Sequence, residues 1–187
     1  MEDIFHEVHI TVKHRDSFEK DCISLDVKPI IIDMGEDIPT HSMTSSTYKN
    51  NSDAEVYSKA LNLKSNLESI GYVVERLKIE TVPWHPQGFS PLDTQYFEAH
   101  FVVTGAEIPK ETLKKFDLHR SKNLLKKEDK LLQMLTYRKK NINSFEFKTL
   151  VDSLTDKLNS LVTVNKVIRE FAIYDSNVSL DDKWLSL

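Results

Sequence analysis

Phe5–Val12 reads F-H-E-V-H-I-T-V. Val8, Ile10 and Val12 point one way; Glu7, His9 and Thr11 point the other. That is the period-two pattern of a half-buried strand. Its polar face carries a carboxylate, an imidazole and a hydroxyl in a row. Ninety-one positions after Glu7 the pattern recurs: Tyr96–Val103 reads Y-F-E-A-H-F-V-V, with Glu98 and His100 in the places of Glu7 and His9. The chain is read as two copies of one unit, each built around an E-x-H strand.

Between the two strands the elements alternate. Phe18, Cys22 and Leu25 fall at helical spacing within His14–Leu25, with Asp16 or Ser17 as cap and Pro29 as breaker. Ile30–Met34 predicts a short β-branched strand, and Met43–Tyr48 another. Ser52 or Asp53 caps a helix over Ala54–Ile70, where Val56, Ala60, Leu63, Leu67 and Ile70 form the apolar stripe and Gly71 the stop. Tyr72–Val82 closes the unit as a strand. The second copy follows the same order. Phe97–Thr104 is a strand, a short helix runs from Pro109 to Phe116, and Leu118–Leu125 and Leu131–Arg138 are strands. A helix capped by Asn143 or Ser144 carries Phe147, Leu150, Leu154, Leu158 and Leu161, and Asn165–Tyr174 is the last strand.

The expected fold is α+β: a tandem duplication of a ferredoxin-like βαββαβ unit, its two sheets facing each other around a polar cleft. Its divisions are residues 1–84, a connection at 85–95, a second unit at 96–175 and a tail at 176–187 anchored by Trp184. Spacings support the repeat. His9 to Thr44 is 35 positions and His100 to Thr136 is 36; Thr44 to Glu80 is 36 and Thr136 to Glu170 is 34. Several elements in one order at near-equal intervals are hard to obtain by chance.

Composition sets the outer limits. The chain has 187 residues, 40% hydrophobic and 29% charged, with a net charge of −4, so bulk charge gives no reason to expect binding to duplex nucleic acid or an anionic membrane. A single cysteine, Cys22, excludes an intrachain disulfide. The acidic start (Glu2, Asp3) is unlike a signal peptide, and no apolar run approaches a membrane span, so a cytoplasmic protein is expected.

Glu7, His9, Thr11, Thr44, Lys78, Glu80, Glu98, His100, Thr136, Arg138 and Glu170 would all line the cleft. Dry burial of so many ionisable groups is costly, which implies a water-containing site. Three chemistries fit. His9 and His100 with Glu80 and Glu170 make a nitrogen–oxygen set for a divalent metal such as zinc, manganese or iron. His9 and His100, each tuned by Glu7 or Glu98, suit acid–base catalysis. Lys78, Arg76, Arg138 and Arg169, with Thr11, Thr44 and Thr136, suit a phosphate or carboxylate. The combined expectation is a small anionic ligand, phosphorylated or nucleotide-like, with phosphoester hydrolysis as the chemistry if the protein is an enzyme. The alternative is a non-catalytic structural or partner-binding protein whose polar groups satisfy one another. His6, His14, His41 and His119 are expected in solvent, and His85 in a loop at the rim.

The segments E-V-H-I-T-V, M-T-S-S, K-I-E-T-V-P-W-H-P, Y-F-E-A-H and R-E-F-A-I-Y-D-S-N resemble an uncharacterised family of small proteins of bacteria and large DNA viruses. The resemblance spans most of the chain and implies no particular reaction. In architecture the chain is also similar to two superfamilies. The two-histidine phosphoesterases carry an H-x-T/S strand in each half; His9-Ile10-Thr11 fits and His100-Phe101-Val102 lacks the hydroxyl. The triphosphate tunnel enzymes carry E-x-E-x-K on the first strand, where this chain has Glu7, His9 and Thr11.

Overall fold

The computed structural model describes residues 4–35, 38–125 and 132–186. Glu2 and Asp3, part of the 35–41 loop, Leu131 of an expected strand and Leu187 of the tail lie outside the described residues.

The first half contains β1 (Phe5–Val12), α1 (Phe18–Ser24), β2 (Lys28–Asp33), β3 (His41–Lys49), α2 (Asp53–Ser69) and β4 (Val74–Thr81). A 3-10 turn at Pro86–Phe89 follows. The second half contains β5 (Tyr96–Thr104), α3 (Lys110–Lys115), β6 (His119–Asn123), β7 (Leu132–Lys139), α4 (Ser144–Asn159) and β8 (Thr163–Asp175). The tail forms a 3-10 turn (Val178–Asp181) and the short α5 (Asp182–Leu185).

The two long helices start where local chemistry dictates. Ser52 and Glu55 form a capping box at α2; Asn143 and Glu146 form one at α4. Each satisfies N–H groups that the first helical turn leaves without a partner. Among the described residues, the non-glycine positions with positive φ are Asp26, Asn50, Asp117 and Asn141. Asp and Asn tolerate this left-handed backbone best among residues with a side chain. Asp26 and Asp117 follow α1 and α3; Asn50 and Asn141 precede α2 and α4.

All eight strands are antiparallel to their neighbours, in the order β1-β3-β2-β6-β7-β5-β8-β4, and β4 pairs back to β1. The sheet is thus a closed barrel. The two sheets expected to face each other are joined along both edges. One seam runs from β4 to β8, through Lys78↔Asp175, Ile79↔Tyr174 and Glu80↔Ala172. The other, between β2 and β6, is short: Ile32↔Asn123 and Asp33↔Lys122. Along the paired stretches, closure covers the strand edges that an open sheet would expose.

Strand alternation sorts the side chains between the two faces. Outward, Val8, Ile10, Val12, Leu77 and Ile79 pack under α1 and α2, against Phe18, Cys22, Val56, Ala60, Leu63 and Leu67. Phe97, Ala99, Phe101, Val103, Leu135, Tyr137 and Phe171 pack under α3 and α4, against Leu113, Phe147, Val151, Leu154 and Leu158. Cys22 is a buried free thiol in the first of these cores. The hydrophobic core therefore wraps the outside of the barrel in two parts, and the charged faces of β1, β4 and β5 are turned inward. No helix among the described residues is long and apolar enough to cross a membrane.

Phe97 is fully buried, with its ring 4.9 Å from Phe147 and 4.7 Å from Phe171. Phe97→Ala is expected to cost about 3–5 kcal/mol in urea unfolding. Ile23→Ala, at a residue 74% exposed on α1, should stay within about 0.5 kcal/mol of wild type.

Candidate functional site

Directly opposed residues in an antiparallel pair share a face of the sheet. His9 lies opposite Ser45 on β3 and Lys78 on β4; Glu7 lies opposite Glu80; Thr11 lies opposite Arg76. Glu98 lies opposite Arg138 on β7 and Glu170 on β8; His100 lies opposite Thr136. These side chains therefore project into one enclosed space from both halves.

At its centre, Lys78 donates to Glu98 Oε2 at 3.0 Å and has Glu80 Oε1 at 2.8 Å. Arg138 Nε donates to Glu98 Oε1 at 2.7 Å. Burial alone would raise the carboxyl pKa of Glu98; the charges of Arg138 and Lys78 outweigh it and hold the group well below the ordinary carboxylate range. Burial would likewise lower Lys78, but Glu80 and Glu98 keep it well above the ordinary lysine value. All of these groups are ionised at neutral pH.

Towards one end stand the histidines. His9 Nδ1 donates to the Thr44 carbonyl at 3.2 Å, and its Nε2 lies 3.4 Å from Glu80 and 3.5 Å from Glu7. Ser45 Oγ donates to Glu7 at 2.6 Å. His100 Nε2 lies 3.2 Å from Glu170, and its Nδ1 is 2.9 Å from Thr136 Oγ1. Burial pulls both rings towards neutrality. For His9 this is outweighed by the hydrogen bond and charge of Glu80, and the pKa is raised. For His100 it is outweighed by Glu170 and then by Glu98 and Glu80, which bring the pKa up to about 9. His100 is therefore an imidazolium at neutral pH, and His9 is shifted in the same direction, so both rings are suited to giving a proton or facing an anion. A cavity of about 210 Å³ opens beside their glutamate partners, lined by Glu7, Thr47, Glu80, Thr81, Ile168 and Glu170, among others, while the two imidazoles themselves lie behind that lining. A larger groove of about 590 Å³ lies outside the barrel between β3 and α2; Asp26, Lys28 and Lys59 in its lining are exposed.

The other end is filled. Arg76 donates through Nε and Nη2 to Asp175 at 3.0 and 2.5 Å, and through Nη1 to Asp181 at 2.8 Å. Tyr96 donates its hydroxyl to Asp175 at 2.6 Å, and Arg138 lies over the Tyr96 ring at 4.3 Å. Arg138 Nη2 donates to Asp181 at 2.5 Å.

Most of the expected site residues meet here: Glu7, His9, Thr11, Lys78, Glu80, Glu98, His100, Thr136, Arg138 and Glu170. Thr44 does not. It lies opposite Ile10 on the helix-covered face, and only its carbonyl reaches His9. Its expected place is taken by Ser45, because the register runs one residue away from the sequence alignment of strands. Arg169 is also on the outer face, opposite Ala99, and binds Asp152 of α4 at 2.7 Å. The four expected metal ligands form two His–Glu pairs, not one coordination sphere. Tyr96, Asp175 and Asp181 were missed. Tyr96 follows from the period-two pattern of β5, whereas nothing periodic in the tail points to Asp181.

Among the described residues, the one set of three or more His, Cys, Asp or Glu side chains with ligand atoms within 4.8 Å of one another is His6, Asp53 and His85. His6 and His41 are buried, contrary to the solvent positions expected; His85 lies in the loop after β4, as expected, and is buried there. His6 Nε2 lies 2.9 Å and His85 Nε2 3.2 Å from the same Asp53 oxygen. A metal ion would need both Nε2 lone pairs, hence protons on both Nδ1 atoms. His85 Nδ1 instead accepts from the Gln87 N–H, and His6 Nδ1 is buried with no partner. Metal-binding imidazoles usually donate their second N–H to an acceptor. The geometry fits two imidazole N–H groups sharing one carboxylate, which ties β1 and the turn after β4 to the start of α2.

No protein-family model and no curated protein matches the chain. Among solved structures it is similar to the acetolactate synthase small subunit of Thermotoga maritima, 12% identical over 91% of this chain and 95% of that one, with a TM-score of 0.32. That likeness is too slight to carry an argument.

Glu98→Gln should cost about 3–5 kcal/mol in thermal or urea unfolding, since it strips a charge from two buried cations. His100 gives a pH signature. Its folded pKa, about 9, exceeds the ordinary 6.5, so its stabilisation is complete below 6.5 and is lost as pH rises through 9. With the side chain 22% exposed, solvent screening reduces this to about 1–2 kcal/mol. The Tm gap between wild type and His100→Gln should therefore narrow from pH 6 to pH 10. An unchanged gap refutes the shared-proton account of the His100–Glu170 pair.

Proposed function

We propose that the barrel interior binds a small anionic ligand, phosphorylated or nucleotide-like, entering beside His9 and His100. The observation that carries this reading is two imidazoles, one from each half, each held by a glutamate that lines an open cavity. An imidazolium there offers charge and a transferable proton to a phosphoryl oxygen, and Glu7 and Glu170 hold the rings in place. In a hydrolytic reaction water would form the new P–O bond as the bond to the leaving oxygen breaks; the His100 imidazolium would give its proton to the leaving oxygen and recover one from the attacking water, with His9, Lys78 and Arg138 setting the field.

The reading includes a duplicated architecture, with residues 1–84 and 96–175 as copies of a βαββαβ unit. Its support is an offset of 91 positions. It relates Glu7 to Glu98, His9 to His100, Ser52 to Asn143 at the helix caps, and the left-handed Asp26 and Asn50 to Asp117 and Asn141. The strand orders β4-β1-β3-β2 and β8-β5-β7-β6 also correspond.

One observation favours the alternative, a non-catalytic protein. Arg76, Lys78 and Arg138 each already have carboxylate partners, so the interior is largely neutralised by its own groups. Calorimetric titration with inorganic pyrophosphate and with ADP, beside an assay of phosphate release, separates the two. Binding weakened at least about tenfold by His9→Gln and by His100→Gln, roughly 1.4 kcal/mol, supports the ligand site. No binding and no release of phosphate leaves the alternative.

A further inference from the structure

Among the described residues, Asp181 is an interior carboxylate that no barrel strand carries. It comes from the single 3-10 turn Val178–Asp181 in the tail, yet it is buried. One of its oxygens, Oδ2, accepts from Arg76 of β4 at 2.8 Å and from Arg138 of β7 at 2.5 Å. Its other oxygen lies 3.9 Å from His41 Nδ1, beyond hydrogen-bond reach.

Neither arginine depends on Asp181 for a counter-charge. Asp175 takes Nε and Nη2 of Arg76, and Glu98 takes Nε of Arg138. What Asp181 supplies is a single oxygen shared between two guanidinium groups from opposite halves of the barrel. Even so, one donor is left over: Arg138 Nη1 is buried with no partner, on a residue only 8% exposed. A buried unmatched donor is uncommon and calls for a cause. A carboxylate offers two oxygens. A terminal phosphate offers three, with more charge, and paired guanidinium groups suit it well.

We propose that Arg76 and Arg138 form an oxyanion site for the terminal phosphate of a ligand, and that Asp181 occupies it as a displaceable stand-in. This rests on the reading of the barrel as an anion-binding interior and adds a second subsite, at the end opposite the His9–His100 cavity. The tail then competes with the ligand, and its release is part of binding.

The structural rival is that Asp181 is simply a fixed counter-ion. Calorimetric titration with inorganic pyrophosphate at constant ionic strength distinguishes them, using Asp181→Ala, the isosteric Asp181→Asn, Asp182→Asn, His100→Gln and the double variant Asp181→Ala/Arg138→Gln. Asp182 is an exposed neighbour on the same tail, and its substitution makes the same change in charge. The expected result is pyrophosphate binding at least about tenfold tighter in both Asp181 variants than in wild type. Asp182→Asn should show no gain, and the double variant should lose it. Thermal melts protect against misfolding: pyrophosphate should restore the Tm of Asp181→Ala and leave that of the double variant unmoved. Equal gains in Asp181→Asn and Asp182→Asn would mean bulk charge and overturn the proposal. So would an Asp181→Ala protein that is destabilised and not rescued by pyrophosphate. If wild type binds, His100→Gln does not, and the Asp181 variants show no gain, the tail proposal falls while the anion-binding reading stands. Absence of binding in every variant sinks both.

Discussion

The Glu98 carboxylate accepts from Lys78 on β4 and from Arg138 on β7, and so joins three strands across the inside of the barrel. An ion pair of this kind is expensive to bury and expensive to break. It is tolerable here because neither carboxylate oxygen is left without a donor. The adjoining groups follow the same logic. Lys78 passes to Glu80, Glu80 to His9, and Arg138 to Asp181 and thence Arg76. The interior is thus a connected network whose members keep one another charged.

That network places the apolar core. A sheet with one charged and one apolar face must cover the apolar one, and the helices do so from outside. The result inverts the usual barrel: oil outside the strands, charge within them. Much of the exterior is packed beneath helices, though a groove remains between β3 and α2; the interior holds ionised groups beside an open cavity at one end and a tail carboxylate at the other. The two ends differ in kind. His100 is held as a cation by Glu170 and His9 is drawn the same way by Glu80, whereas Arg76 and Arg138 are paired with an acid from outside the barrel strands.

Much of this was legible in the chain. The alternation of Phe5–Val12 and Tyr96–Val103 identifies both strands and the inward position of Glu7, His9, Glu98 and His100. Ser52 or Asp53 and Asn143 or Ser144 mark the helix starts through a local rule, and the first of each pair is the cap. Even the polar segment around His119–Asn123 reads as a strand. Thr44 shows where such reasoning stops. Register is a relation between two strands, and a slip of one residue exchanges the faces, so Ser45 and not Thr44 faces His9. Arg169 fails for the same reason, being one step from Glu170 and on the opposite side of β8.

By itself the sequence determined the local facts: which segments are strands and helices, where helices begin, and which polar residues share a face of their own strand. These depend on spacing and capping, which act within a few residues. Tertiary structure alone decided that the two sheets close along both edges, that His6 and His85 meet at Asp53, and that Asp181 lies between Arg76 and Arg138. Arg76 and Asp181 stand 105 positions apart. No pattern within either segment encodes their meeting. It arises because closing the barrel brings β4 and β7 to opposite sides of one interior, and leaves the tail at its end.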